Sequence, residues 1–186
     1  VLGTEASDTV DSVNNLAVLY DSMGRFAEAE PLFRQALETS ERVLGPGHPY
    51  TLISIANLAA LYANTGRSLD AERLYRRALE ASERALGPDH PETILSIRDL
   101  ANFYQANGRY VEAEPLHLDT LEAQKRGLGL EHPDTLTSFN NLALLYQKMG
   151  RYSEAEPLYD RLIEVQERVL GPEHIDTLLS LGNLAL

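Results

Sequence analysis

Leu86-Gly87-Pro88-Asp89-His90-Pro91 decides the fold, because the same phrase returns at a fixed interval. It stands also as Leu44-Gly45-Pro46-Gly47-His48-Pro49, as Leu128-Gly129-Leu130-Glu131-His132-Pro133 and as Leu170-Gly171-Pro172-Glu173-His174. His48, His90, His132 and His174 are spaced 42 residues apart. Such a period marks a repeat array, in which each unit buries its apolar face only against its neighbours. An array of this kind offers an extended binding surface. A catalytic pocket would need separate support.

Outward from the phrase, the residues read as two helices per unit. Leu52, Ile55, Leu58, Ala59 and Tyr62 fall three or four apart, on one helical face. Pro49 suits the first turn, where its missing N–H is not required. Glu92, Asp134 and Asp176 bring acids to the positive end of the helix dipole. Gly24, Gly66, Gly108 and Gly150 share one register and are expected to end that helix in a left-handed residue. Ala71, Leu74, Tyr75, Ala78 and Leu79 form the apolar face of the second helix, which Gly87 caps.

Pro31, Pro115 and Pro157 come early in the second helices, harmless in a first turn and a source of a kink if the helix starts sooner. Glu38/Arg42, Glu80/Arg84, Glu122/Arg126 and Glu164/Arg168 are read as four-apart pairs on a solvated surface. Alanines at 17, 59, 101, 143 and 185, and at 29, 71, 113 and 155, allow close helix approach between larger neighbours. No stretch reads as a strand.

Asn141-Leu142-Ala143-Leu144-Leu145-Tyr146 and Gly150-Arg151-Tyr152-Ser153-Glu154-Ala155-Glu156-Pro157-Leu158-Tyr159 resemble the tetratricopeptide repeat, in the 42-residue version of kinesin light chains. The resemblance spans essentially the whole chain as a single array, 1–186. Its units are approximately 6–47, 48–89, 90–131 and 132–173, with a partial fifth unit at 174–186. It implies an all-α, right-handed superhelical solenoid of antiparallel helix pairs, with the first helix of each pair lining a concave groove. Asp99 departs from the Asn of the register, Ser68 and Leu69 from the usual aromatic and its neighbour, and Ile175 from the proline after His174.

Composition narrows the partners. Sixteen Lys+Arg against 28 Asp+Glu give a net charge of −12. Counterion release from phosphates needs clustered cations, so nucleic acid is not an expected partner, and neither is an anionic membrane. The chain has no cysteine, which removes disulfides and zinc–thiolate sites. With no leader and no apolar run long enough to span a bilayer, a cytoplasmic location is expected.

Chemistry finds no foothold in the motifs. Phosphate loops, dinucleotide glycine fingerprints, His-Glu-x-x-His and Gly-x-Ser-x-Gly are all absent. Histidines one helix pair apart, on the order of 10 Å, cannot share an ion, so they are read as loop structure. The tyrosines at 20, 62, 104 and 146 lie on the apolar face and are read as core. The chain is therefore expected to be no enzyme, with no cofactor and no metal.

The asparagines carry the binding reading. The resemblance points the register of Asn15, Asn57, Asn141 and Asn183 into the groove, where an amide can both donate to and accept from a peptide backbone. Asn14, Arg98, Asn102 and Asn140 join them by helical register. The competing reading has the register asparagines bonding within their own array, and both stay open. Recognition of paired carboxylates needs several cations, and only Arg98 and Lys148 are at hand. The expected partner is a protein or an extended peptide. The alternatives are a structural array that self-associates weakly through its ends, or a regulatory sensor segment of a larger signalling protein. Both ends read as cut from a longer array, with the segment from Asp176 onward covering the fourth pair.

Overall fold

The computed structural model describes residues 2–184. Among them are nine helices and no strand: α1 (Leu2–Ser22), α2 (Phe26–Leu44), α3 (Pro49–Asn64), α4 (Ser68–Leu86), α5 (Pro91–Ala106), α6 (Tyr110–Gly127), α7 (Pro133–Lys148), α8 (Tyr152–Val169) and α9 (Ile175–Leu184). They fall into two compact units, Val1–Phe103 and Tyr104–Leu186, with the boundary inside α5. In the first, α1 packs on α2, α2 on α3 and α3 on α4, and α1 also meets α3 directly. In the second, α6 packs on α7, α7 on α8 and α8 on α9. Short connections between packed neighbours make successive helices antiparallel.

Each first helix stops in the same way. Gly66 takes φ +79°, and the Arg67 N–H donates to the Tyr62 carbonyl at 2.8 Å, a six-to-one bond that closes the helix. Gly24, Gly108 and Gly150 repeat the geometry, with φ of 72°, 71° and 73°. The Arg67 guanidinium then lies 3.8 Å from the centroid of the Tyr62 ring, and Arg25, Arg109 and Arg151 sit likewise over Tyr20, Tyr104 and Tyr146. The register tyrosines are thus one face core and one face platform for arginine.

Each second helix ends in the phrase that opens the sequence. The His48 Nδ1 accepts from the Tyr50 N–H at 3.3 Å, so the histidine is the N-cap of α3, with Pro49 at its first turn. Thr51 reaches back and donates to the Gly45 carbonyl at 2.8 Å, tying the new helix to the end of the old one. His90, His132 and His174 cap in the same way, and Thr93 and Thr177 make the same latch. The repeated histidine is loop structure, and its ring satisfies an otherwise orphaned helix N–H.

Close helix approach sits where the small residues put it. Ala17, Ala59, Ala101 and Ala143 are wholly buried, as are Ala29, Ala71 and Ala113. Ala185, the fifth member of the first series, lies outside the described residues. Leu58, Leu100 and Leu142 fill the space beside them, each contributing roughly 1.5–3 kcal/mol by leaving water.

Two surface features of the second helices depend on their surroundings. Pro31, Pro115 and Pro157 are each the sixth residue of their helix, beyond the first turn. All three face solvent, so water can meet the carbonyl each leaves without an N–H. Of the four-apart ion pairs, Glu80–Arg84 forms at 3.3 Å. Glu164 instead pairs with Arg161, and Arg168 crosses to Glu131 at 2.6 Å. An exposed arginine takes whichever carboxylate is nearest, and a neighbouring loop competes with its own helix.

Candidate groove on the first helices of each pair

The asparagine register lies on α1, α3, α7 and α9. Asn15 is exposed, while Asn57, Asn141 and Asn183 are half-buried. Asn57 and Asn141 make no side-chain hydrogen bond to another described residue, so both ends of each amide are uncommitted. Asn102 on α5 is exposed. Asn14 is different. It is 4% exposed, and its Nδ2 donates to the Ser54 Oγ at 2.9 Å across the α1–α3 contact. A side chain enclosed in that way is not open to a ligand.

In the second unit the equivalent of Asn14 is only half-buried. The Asn140 Oδ1 accepts from the Asn183 Nδ2 at 3.4 Å, joining α7 to α9. Beside this bond the helices part and leave a cavity of about 430 Å³. Leu136, Thr137 and Asn140 of α7, Gln166 and Val169 of α8, and Leu179, Ser180 and Asn183 of α9 line it.

On α5 two charged residues stand side by side. The Arg98 guanidinium stands 3.7 Å from the Asp99 carboxylate, so the cation expected to meet a ligand acid already has a partner. Burial lifts the Asp99 carboxyl above the usual carboxylate range, and Arg98 offsets this in part. Burial and the Asp99 charge together push the Tyr75 phenol up to about 12.

The profile of the tetratricopeptide repeat matches residues 8–83, 53–102, 92–165 and 136–186. The chain belongs to the tetratricopeptide-repeat family. A kinesin-light-chain-like protein of Podosopora anserina, built of nearly identical repeats, superposes with a TM-score of 0.85 at 32% identity, over 96% of this chain and 85% of that one. BtubC (BKLC) from P. vanneervenii follows at a TM-score of 0.84 and 24% identity, over 96% and 71%. PilF of Pseudomonas aeruginosa shares the fold at 0.64 and 19%, over 100% and 78%. No curated protein matches the sequence. Tetratricopeptide repeats mediate protein–protein interaction, typically as scaffolds without chemistry of their own. Among the described residues no helix is long and apolar enough to cross a membrane, and no three His, Asp or Glu side chains cluster to hold a metal.

Each tetratricopeptide repeat also carries buried polar positions that the motif reading passed over. Ser54, Ser96, Ser138 and Ser180 share one register on the first helices, and Ser40, Ser82, Gln124 and Gln166 share another on the second helices; all are buried. Ser138 donates to the Gln124 Oε1 at 2.6 Å. The signal was available as polar residues recurring every 42 positions inside apolar stripes.

Proposed function

We propose that this chain is a non-catalytic scaffold that binds an extended peptide or protein segment along the first helices of its repeats. The observation that carries the reading is the pair Asn57 and Asn141: accessible amides in one register, unbonded within the described residues, and bordered by small or apolar neighbours. Each amide in that state supplies both a donor and an acceptor, which suits a peptide backbone. The net charge of −12 speaks against nucleic acid as the partner.

The test is the double change Asn57→Ala and Asn141→Ala. A hydrogen bond to a neutral group nets about 0.5–1.5 kcal/mol, so losing two weakens binding roughly tenfold or more. Calorimetry against a partner captured with the intact array, beside circular dichroism of both proteins, checks it. If helicity falls and binding merely follows the folded fraction, the asparagines are structural and the reading fails.

A further inference from the structure

We propose that the cavity between α7, α8 and α9 receives a lysine side chain of the bound peptide, a reading that rests on the groove function above and names its ligand chemistry. Gln166 is 6% exposed and lines the cavity, yet its Oε1 has no hydrogen-bond partner. A buried acceptor without a donor is unfavourable, and an N–H brought by a ligand relieves it. The chain itself shows the closed version of the same arrangement. One repeat earlier, Gln124 holds the Gln166 register, and its Oε1 accepts from Ser138 at 2.6 Å. Ser180, the equivalent of Ser138, is 4% exposed and makes no such bond.

The mouth of the cavity carries Asp176, whose side chain is 56% exposed. Its nearest cationic candidate is His174, but that Nδ1 accepts from the Asp176 backbone N–H at 3.3 Å and so donates nothing to the carboxylate. The other rim acid, Glu131, is held by Arg168 at 2.6 Å. One free carboxylate therefore lines the same cavity as two uncommitted polar groups.

Leu136, Val169 and Leu179 supply apolar wall for a methylene stem. An ammonium has three donors, and Gln166 Oε1, Ser180 Oγ and an oxygen of the Asp176 carboxylate are acceptors for them on the cavity lining. An acid would face both Asp176 and the orphaned acceptor. The overall negative charge favours approach of a cation.

The experiment titrates the ¹⁵N-labelled chain with two pools of capped nonapeptides. Every position is degenerate except the centre, fixed as lysine in one pool and norleucine in the other. The lysine pool is expected to shift the Gln166 side-chain amide and the backbone at Leu179 and Ser180 at least fivefold more than the norleucine pool. Gln166→Leu and Asp176→Asn should each erase that difference while the rest of the spectrum stays folded. Equal shifts from the two pools, or a difference that survives both substitutions, overturns the lysine pocket. Equal shifts that reach Asn57 and Asn141 overturn the pocket and leave the groove standing. No shift at any of these residues overturns both.

Discussion

Arg67 reaches Glu30 at 2.7 Å, bonding one helix pair to the pair before it. The same guanidinium holds Asp70 at 2.8 Å and covers the Tyr62 ring, so a single side chain touches the end of one helix, the first turn of the next and the preceding repeat. Arg151 does the same with Glu114, Glu154 and Tyr146. Substituting Arg67 with alanine is expected to lower the urea midpoint clearly more than Arg73→Ala, whose side chain is 81% exposed. Arg67→Lys should fall between them, because an ammonium keeps the charge and loses the planar fork. Equal midpoints for the two alanine variants would show that the clamp holds nothing.

His117 introduces a pH dependence. It occupies the place of Phe33, Tyr75 and Tyr159, is 1% exposed, and its Nε2 has no partner. Burial pushes its pKa down to about 4 from 6.5. The folded state then resists a proton that the unfolded chain accepts. Its stability is complete above about 6.5 and is lost as pH falls toward 4, by on the order of 3 kcal/mol. His117→Phe should remove that loss. Denaturant curves of both proteins at pH 7 and pH 4.5 give the difference, and parallel pH profiles would refute it.

Asp99 works in the opposite direction. Its carboxyl titrates above the ordinary range, so the folded state favours the protonated form, and the stability this contributes disappears as pH rises through the folded pKa. Asp99→Asn, which restores the amide of the register, is expected to stabilise the fold at pH 7 and to leave it unchanged near pH 3. Thermal midpoints at the two pH values test the sign.

Gly47 packs against α4. A β-carbon there would collide with the Ala85 Cβ and press on the Ala81 carbonyl. The other repeats carry Asp89, Glu131 and Glu173 in this register, so an acid looks harmless from sequence alone. Gly47→Ala is expected to destabilise by about 1–3 kcal/mol through overpacking. Ala85→Gly in the same chain should recover much of that loss, and a double-mutant cycle measures the coupling.

Helices, stops and caps were legible in the residues because each depends on neighbours a few positions away. Gly66 needs only its own φ, and His48 needs only the N–H two residues on. The Arg67–Glu30 bond was not legible, since its partner lies in the preceding helix pair and the sequence offers several acids nearby. The groove divides in the same way. Asn14 and Asn140 share a register and both sit on a first helix, yet Asn14 closes on Ser54 while Asn140 pairs with Asn183 beside an open cavity. Which amide is enclosed depends on the side chain across the helix contact. Periodicity fixes the position and leaves that choice to its neighbour.

The Arg–Glu bond has a consequence for how such a gene can change length. Glu30 and Arg67, and likewise Glu114 and Arg151, stand 37 residues apart. That span is shorter than the 42-residue period, so each bond crosses one repeat boundary and no more. Excise one whole period at any phase, and every remaining arginine that still has a repeat before it meets a glutamate at the same distance. The histidine caps, and the threonine latches where they form at Thr51, Thr93 and Thr177, are local and are carried along unbroken. Duplication of a period works by the same rule. Unequal crossing-over between repeats therefore yields junctions already complete in their bonding, and arrays of this kind can lengthen or shorten without a new joint having to evolve.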